Sequence, residues 1–216
     1  MCKKNILIIT GYIGLLAAIF VGIGEFLLHF DPLGRFSGSY EFMIGINEER
    51  TTLGHFIGVL SAPFYIVGFW HLMKMLEPAS EKVSKIAFAI ISYGIIIGVV
   101  WIGSRANISA LVNDFELINQ ASLISLYDIR YENLLQITRV SVIIFSILFI
   151  WLILTGNTLY PKWIAVFNPF FLILLSFGTW IVIPSIGIYL MPIALNFAFA
   201  IIFAFSIYFS HTLKHK

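Results

Sequence analysis

The stretch ILIITGYIGLLAAIFVGIGEFLLHFDPLGRF, residues 6–36, decides the fold class of this chain. Its first nineteen residues, Ile6–Gly24, carry no charge and are long enough to cross most of the hydrocarbon core of a bilayer. Four ionisable residues then follow within eleven positions, namely Glu25, His29, Asp31 and Arg35. The stretch therefore predicts a membrane-spanning helix whose far end carries unusual chemistry.

The composition of the whole chain is typical of an integral membrane protein. Of its 216 residues, 60% are apolar and 11% are charged, whereas a soluble chain carries about a quarter charged residues. The net charge is only +2, and we expect no nucleic-acid partner. Because Cys2 is the single cysteine, neither a disulfide within the chain nor a cysteine-based metal site is expected.

Six segments are apolar enough, and long enough, to be membrane spans. We predict an all-α polytopic protein in which residues 1–216 form one domain, a single six-helix bundle. The first segment is expected to be a retained span, because its apolar run exceeds that of a cleaved signal. Residues 113–132 either lie on the membrane as an amphipathic helix or extend the third and fourth spans. The predicted spans are Asn5–Phe30, Leu53–Met75, Val83–Val112, Asn133–Gly156, Lys162–Ile183 and Tyr189–His211.

Lysines and arginines fall in different connections between the predicted spans. If the N-terminus is cytoplasmic, every lysine falls on the cytoplasmic side, while nine of the eleven acids and all five arginines fall outside. Basic residues in short loops stay preferentially in the cytoplasm. The lysines therefore predict cytoplasmic termini in a multi-pass protein of the inner (cell) membrane. The arginines run against the rule and are expected to have local partners, most simply acids; they are Arg35, Arg50, Arg105, Arg130 and Arg139.

Polar residues at the outer ends of the spans form the candidate site. Glu25 and His29 lie one helical turn apart on one face. Arg139 is expected within the outer leaflet, where a charge costs about 2.5–3.5 kcal/mol and so seeks an acid, here Glu25, Asp31 or Glu132. Two simpler roles stay open, an interfacial carboxylate at Glu25 and an ion pair that only aligns helices. We predict an outward-facing cavity lined by Glu25, His29, Asp31, His55, Arg105 and Arg139.

Two histidines at the outer ends of the first two predicted spans raise the question of a metal site. His29 and His55 with Glu25 or Asp31 would supply the three protein ligands of a catalytic zinc site. Their spacing matches no metal-binding motif. No metal is therefore assigned.

Other residues of the spans are expected to serve packing. Asn168 and Asn196 are predicted to donate hydrogen bonds between helices. Gly54 and Gly58 have the spacing that allows close helix contact. His71, at the inner end of the second span, is expected at a solvated interface.

Two stretches carry a resemblance to known proteins, GEFLLHF at 24–30 and GHFIGVLSAPFYIVGFWHL at 54–72. They resemble the end of the first span and the Gly- and Pro-bearing second span of an uncharacterised bacterial family of small multi-span membrane proteins. The resemblance implies a six-helix inner-membrane protein and implies no activity.

Three functions are compatible with these features. The preferred one is binding of a small polar ligand or lipid headgroup in the outer cavity. The second is a membrane-embedded lipid-modifying enzyme with Glu25 or His29 as general base. The third is a non-catalytic subunit that packs against other membrane subunits. A pump or ion-coupled carrier is disfavoured because no charge lies at the centre of a predicted span. The expected partners are thus the lipid bilayer, a lipid or polar ligand, and other subunits, and no cofactor is assigned.

Overall fold

The computed structural model describes residues 3–36, 40–114 and 118–213, and these residues form helices and connections with no strand. Cys2, Glu116, Lys214 and Lys216, which entered the sequence argument, lie outside the described residues. The prediction of an all-α chain is confirmed for the described part. Its α-helices are α1 (Lys3–His29), α2 (Glu48–Ser61), α3 (Phe64–Leu76), α4 (Glu81–Asn113), α5 (Gln120–Thr155), α6 (Pro169–Val182), α7 (Pro184–Leu190) and α8 (Ala194–Thr212).

Four helical segments of the described chain are long and apolar enough to cross a bilayer. The number rises to five if α2 and α3 are counted together as one bent span. The four are α1, α4, α5 and the segment Pro184–Thr212, which contains α7 and α8. Their length and composition are those of a membrane protein. The first and third predicted spans agree with α1 and α4 to within two residues at each end.

The second predicted span, Leu53–Met75, is not one continuous helix. α2 ends at Ser61 and α3 begins at Phe64, and the two are bent by 41°. Pro63 lies at the break. Proline has no backbone N–H and its ring clashes with the preceding turn, so a helix breaks or kinks there.

The fourth predicted span begins earlier than expected. α5 starts at Gln120, thirteen residues before Asn133, and runs for 36 residues. Two alternatives were open for residues 113–132, a separate amphipathic helix or an extension of the neighbouring spans. From Gln120 onward these residues extend the helix of the fourth span.

The fifth predicted span, Lys162–Ile183, is divided between a 3₁₀ turn at Lys162–Phe167 and the 14-residue α6. Asn168 separates them, because its Oδ1 accepts the Phe171 N–H at 3.0 Å while Pro169 opens the helix. The Asn168 Nδ2 donates to the nearby Ala165 carbonyl at 3.0 Å. The predicted hydrogen bond between helices is therefore wrong for Asn168.

Large aromatic side chains fill the centre of the bundle. Tyr65 and Phe69 of α3, Phe145 of α5, and Phe199 and Phe203 of α8 are all nearly inaccessible. The Phe69 and Phe199 ring centroids lie 5.1 Å apart in an edge-on arrangement, a favourable geometry for two aromatic rings. This column joins α3, α5 and α8 into one core.

The two sets of connections gather at opposite ends of the bundle. At one end, the Lys4 Nζ donates to the His211 carbonyl at 2.9 Å, and the Leu159 N–H donates to the Met75 carbonyl at 3.0 Å. At the other end, Arg50 donates through Nη2 to the Phe30 carbonyl at 2.6 Å and covers the end of α1. We call these the lysine end and the arginine end.

Backbones of α1 and α2 approach closely near the arginine end. A Cβ atom on Gly24 would lie 2.6 Å from the Gly58 nitrogen and 2.8 Å from the Gly54 oxygen. Only glycine allows this approach, and the predicted packing role of Gly54 and Gly58 is confirmed. The next residue of α1 is Glu25, so this contact helps to set where that carboxylate lies.

We expect Gly24→Ala to destabilise the protein by about 1–3 kcal/mol, because the new methyl group overlaps backbone atoms that cannot move aside. Thermal unfolding in detergent measures the effect. Gly178→Ala is the matched control, since a Cβ on Gly178 meets nothing within 4 Å. Equal stability of the two variants would contradict the close contact.

Candidate functional site

A cavity of about 460 Å³ lies between the helices toward the arginine end. Most of its wall is apolar and comes from α4, α5, α6 and the beginning of α8. A few polar side chains interrupt this apolar wall, as in many ligand-binding pockets. They are Glu25, His29, Tyr65, Arg105, Thr138, Arg139 and Asn196.

Glu25 is held by a polar chain that crosses three helices. The Asn196 Nδ2 of α8 donates to the Glu25 Oε2 of α1. The Tyr65 O–H of α3 in turn donates to the Asn196 Oδ1 at 2.6 Å. All three residues are buried, so the chain supplies the partners that buried polar atoms require. The predicted donor role of Asn196 is confirmed.

Arg105 and His29 form the second polar contact of the cavity. The Arg105 Nε–H donates to the His29 Nε2 at 3.0 Å, and the residues are 6% and 7% exposed. A guanidinium can only donate hydrogen bonds. The His29 Nε2 must therefore accept, which leaves the ring proton on Nδ1.

The Arg105 guanidinium lies among aromatic rings. Its Cζ is 4.9 Å from the ring centres of both Tyr40 and Trp101 and 5.8 Å from that of Phe42. Such ring faces attract a cation but do not neutralise it. The ion pairs within the described residues do not include Arg105, although the carboxylates of Glu25 and Glu132 are near enough to act on its charge.

Arg139 pairs with Glu132, one of the acids considered for it, at 2.7 Å between Nη1 and Oε1. The two side chains are 51% and 47% exposed, whereas a partner inside the bundle was expected. Both residues belong to α5, because this helix begins at Gln120 and so includes Glu132. Arg139 still lines the cavity, at its rim.

Asp31 and His55 do not line the cavity, unlike the other four predicted residues. Asp31 is buried and accepts from the Arg35 Nε at 2.8 Å and the Arg35 Nη2 at 3.1 Å. His55 lies on α2, with its ring edge-on to Phe56. No three His, Cys, Asp or Glu side chains among the described residues are placed to hold a metal, so the grouping of His29 with His55 is not formed.

Two residues of the connection after α1, Phe36 and Phe42, line the cavity. Tyr40 donates to Asp128 of α5, which ties this connection to the extended helix. Burial, with the help of that hydrogen bond, raises the pKa of Tyr40 to about 12, so the phenol stays protonated at neutral pH. The Tyr40 ring is thus fixed over Arg105.

A separate polar cluster lies near the lysine end. His71 is fully buried, which makes the predicted solvated interface wrong. Its Nδ1 donates to the Leu7 carbonyl and its Nε2 accepts from the Ser206 hydroxyl, both at 2.6 Å. Ser206 in turn accepts from the Tyr160 O–H at 2.6 Å. Both ring nitrogens of His71 are therefore satisfied.

Residues 1–214, almost the whole chain, match DUF6796, a family of unknown function. The chain belongs to DUF6796. The expected membership of an uncharacterised family is confirmed, and it extends well beyond the two stretches that suggested it. No curated protein and no solved structure matches the chain.

Sequence reasoning missed three polar or aromatic residues of the site. Tyr65 and Thr138 were overlooked because an isolated hydroxyl in an apolar helix carries no spacing signal. Trp101 was overlooked because tryptophan near the end of a span is generally explained by the membrane interface, whereas its ring lies against Arg105 and His29. Tyr65, Trp101 and Thr138 belong to α3, α4 and α5, and only the packing of these helices brings them to one cavity.

The ion pair at Asp31 generates a pH prediction. Hydrogen bonds from Arg35 hold the pKa of Asp31 below its usual value of 3.8. A depressed pKa stabilises the fold above the usual value, and this contribution is lost as the pH falls through the folded-state pKa. We expect the free energy of unfolding to decrease below about pH 4, and Asp31→Asn to remove this part of the decrease.

Denaturant unfolding in detergent between pH 3 and pH 7 tests this expectation. Glu49→Gln is the control, because Glu49 is exposed and makes none of the described ion pairs. A pH profile for Asp31→Asn that parallels the unmodified protein would contradict the role assigned to Asp31.

Proposed function

We propose that the chain crosses the membrane six times, with cytoplasmic termini and the cavity opening on the outer side. The sorting of lysines and arginines to opposite ends supports this orientation. The fifth crossing combines the 3₁₀ turn Lys162–Phe167 with α6. At about 2.0 Å and 1.5 Å per residue, the two segments together reach about 33 Å, which is enough for a hydrocarbon core of about 30 Å.

Labelling of single cysteines in intact cells tests the topology. In a Cys2→Ser background, we expect a membrane-impermeant thiol reagent to label Glu49→Cys and Ser185→Cys from outside. Asn157→Cys should be labelled only after lysis. Labelling at 157 and 185 from the same side would mean that α6 does not cross.

We further propose that the cavity binds a small polar ligand or a lipid headgroup. The observation that carries this proposal is the buried Arg105, which has no carboxylate partner among the described ion pairs. A buried charge is costly without a counter-charge. An anionic group in the cavity would supply one and would accept from the remaining donors of the guanidinium fork.

Binding is better supported than catalysis at this site. A general base needs a free lone pair directed at the substrate. The His29 Nε2 is occupied by Arg105, which removes the basic nitrogen of that ring, while Glu25 uses one of its two oxygens to accept from Asn196. The lipid-modifying enzyme is the weaker alternative. A non-catalytic subunit is suggested by exposed apolar side chains, but a protein surrounded by lipid exposes such side chains as well.

Retention of a ligand through purification tests the function. We expect the unmodified protein to carry a bound polar compound or lipid, detected by mass spectrometry and phosphorus analysis. Arg105→Gln should lower its amount at least tenfold, about 1.4 kcal/mol of binding free energy. Arg130→Gln is the matched control, because Arg130 is an exposed arginine of α5 outside the cavity wall. Equal ligand content in both variants would contradict the proposal.

A further inference from the structure

We infer that the ligand is a single anionic amphiphile, with its headgroup at Arg105 and its acyl chain in a lateral opening between α5 and α6. This inference rests on the function proposed above and names the class of ligand. Three features support this ligand class. They are the N–H donors on the Nη groups of Arg105, the shape of the cavity and the position of its opening.

The headgroup position follows from the hydrogen bonding of Arg105. Its Nε–H is used by His29, and its two Nη groups carry four more N–H donors, which also serve its hydrogen bond with Tyr40. Phosphate-type oxygens match this planar fork. Arg139, the other arginine of the wall, already pairs with Glu132, whereas Glu25 accepts from the neutral Asn196. The ammonium group of a zwitterionic headgroup would bring a second positive charge close to the Arg105 guanidinium, so a headgroup with a net negative charge is favoured.

The shape of the cavity suits a chain below the headgroup. Arg105 and Ile95 of α4 both line the cavity, and they are about 15 Å apart along the helix at 1.5 Å per residue. Apart from Thr138, whose hydroxyl donates to the Gly94 carbonyl, the wall in this direction is formed by aliphatic and aromatic side chains, such as Val142 and Ile173. A small soluble anion would leave this wall facing water, whereas an acyl chain would cover it.

The opening lies between α5 and α6. Below it, the two helices are joined where the Phe170 N–H donates to the Ser146 Oγ at 3.1 Å. Ile143 of α5 and Phe170 and Phe177 of α6 line the cavity and are 39–41% exposed. The cavity therefore reaches the outer surface of the bundle, where an apolar face contacts acyl chains. A lipid can enter sideways without leaving the bilayer.

The experiment uses the full-length protein in vesicles of equimolar phosphatidylglycerol and phosphatidylcholine. Bound lipids are counted by native mass spectrometry after release into detergent. We expect phosphatidylglycerol to be retained at least tenfold over phosphatidylcholine, and Arg105→Gln to abolish this preference. Glycerol 1-phosphate, which has the anionic group without the chain, should not displace the lipid.

Filling the opening tests the path of the chain. Ile143→Trp should lower phosphatidylglycerol retention at least tenfold. Ile147→Trp is the matched control, because Ile147 is one turn further along α5, is 58% exposed and does not line the cavity. Both positions are on the surface, so this pair decides the question even if Arg105→Gln fails to fold.

The failures of the two proposals are distinguishable. If glycerol 1-phosphate binds as tightly as the lipid and Ile143→Trp has no effect, the ligand is a soluble anion. That result would contradict the amphiphile and leave the proposed binding function intact. If Arg105→Gln changes the retention of none of these probes, both fall.

Discussion

A buried polar side chain needs a partner, and around this cavity the partner always comes from another helix. Glu25 on α1 takes its hydrogen bond from Asn196 on α8, which is held by Tyr65 on α3. His29, one turn further along α1, accepts from Arg105 on α4. These contacts hold four helices around one space, and a change in the rotation of α1 would leave several polar groups unsatisfied at once.

The two ends of the bundle use buried polar groups in opposite ways. Near the lysine end, His71 has both ring nitrogens bonded, so its chain through Ser206 to Tyr160 is closed and serves to join helices. Near the arginine end, the contact of Arg105 with His29 uses one donor of the guanidinium, whose charge is surrounded by rings. A closed network adds stability, whereas a buried charge that makes none of the described ion pairs can attract a ligand into the cavity. This difference is why a function is proposed only for the arginine end.

Close backbone contact makes this arrangement possible. Because Gly24 lies against Gly54 and Gly58, α1 and α2 approach more closely than side chains would allow. Glu25 follows Gly24 directly and is turned toward the interior. The bend at Pro63 then directs α3, and with it Tyr65, across the bundle. Residues that bear no chemistry of their own thus place those that do.

The sequence by itself determined that the chain is all-helical and belongs in a membrane, because apolar length and charge placement act locally along the chain. It also predicted the bounds of α1 and α4, and it selected Glu25, His29, Arg105 and Arg139, all of which line the cavity. Only the tertiary structure decided which groups meet. Asp31 pairs within its own turn, and His55 lies outside the cavity wall. Partner choice depends on the rotation and register of helices distant in sequence, and nearly uniform apolar faces carry little information about either.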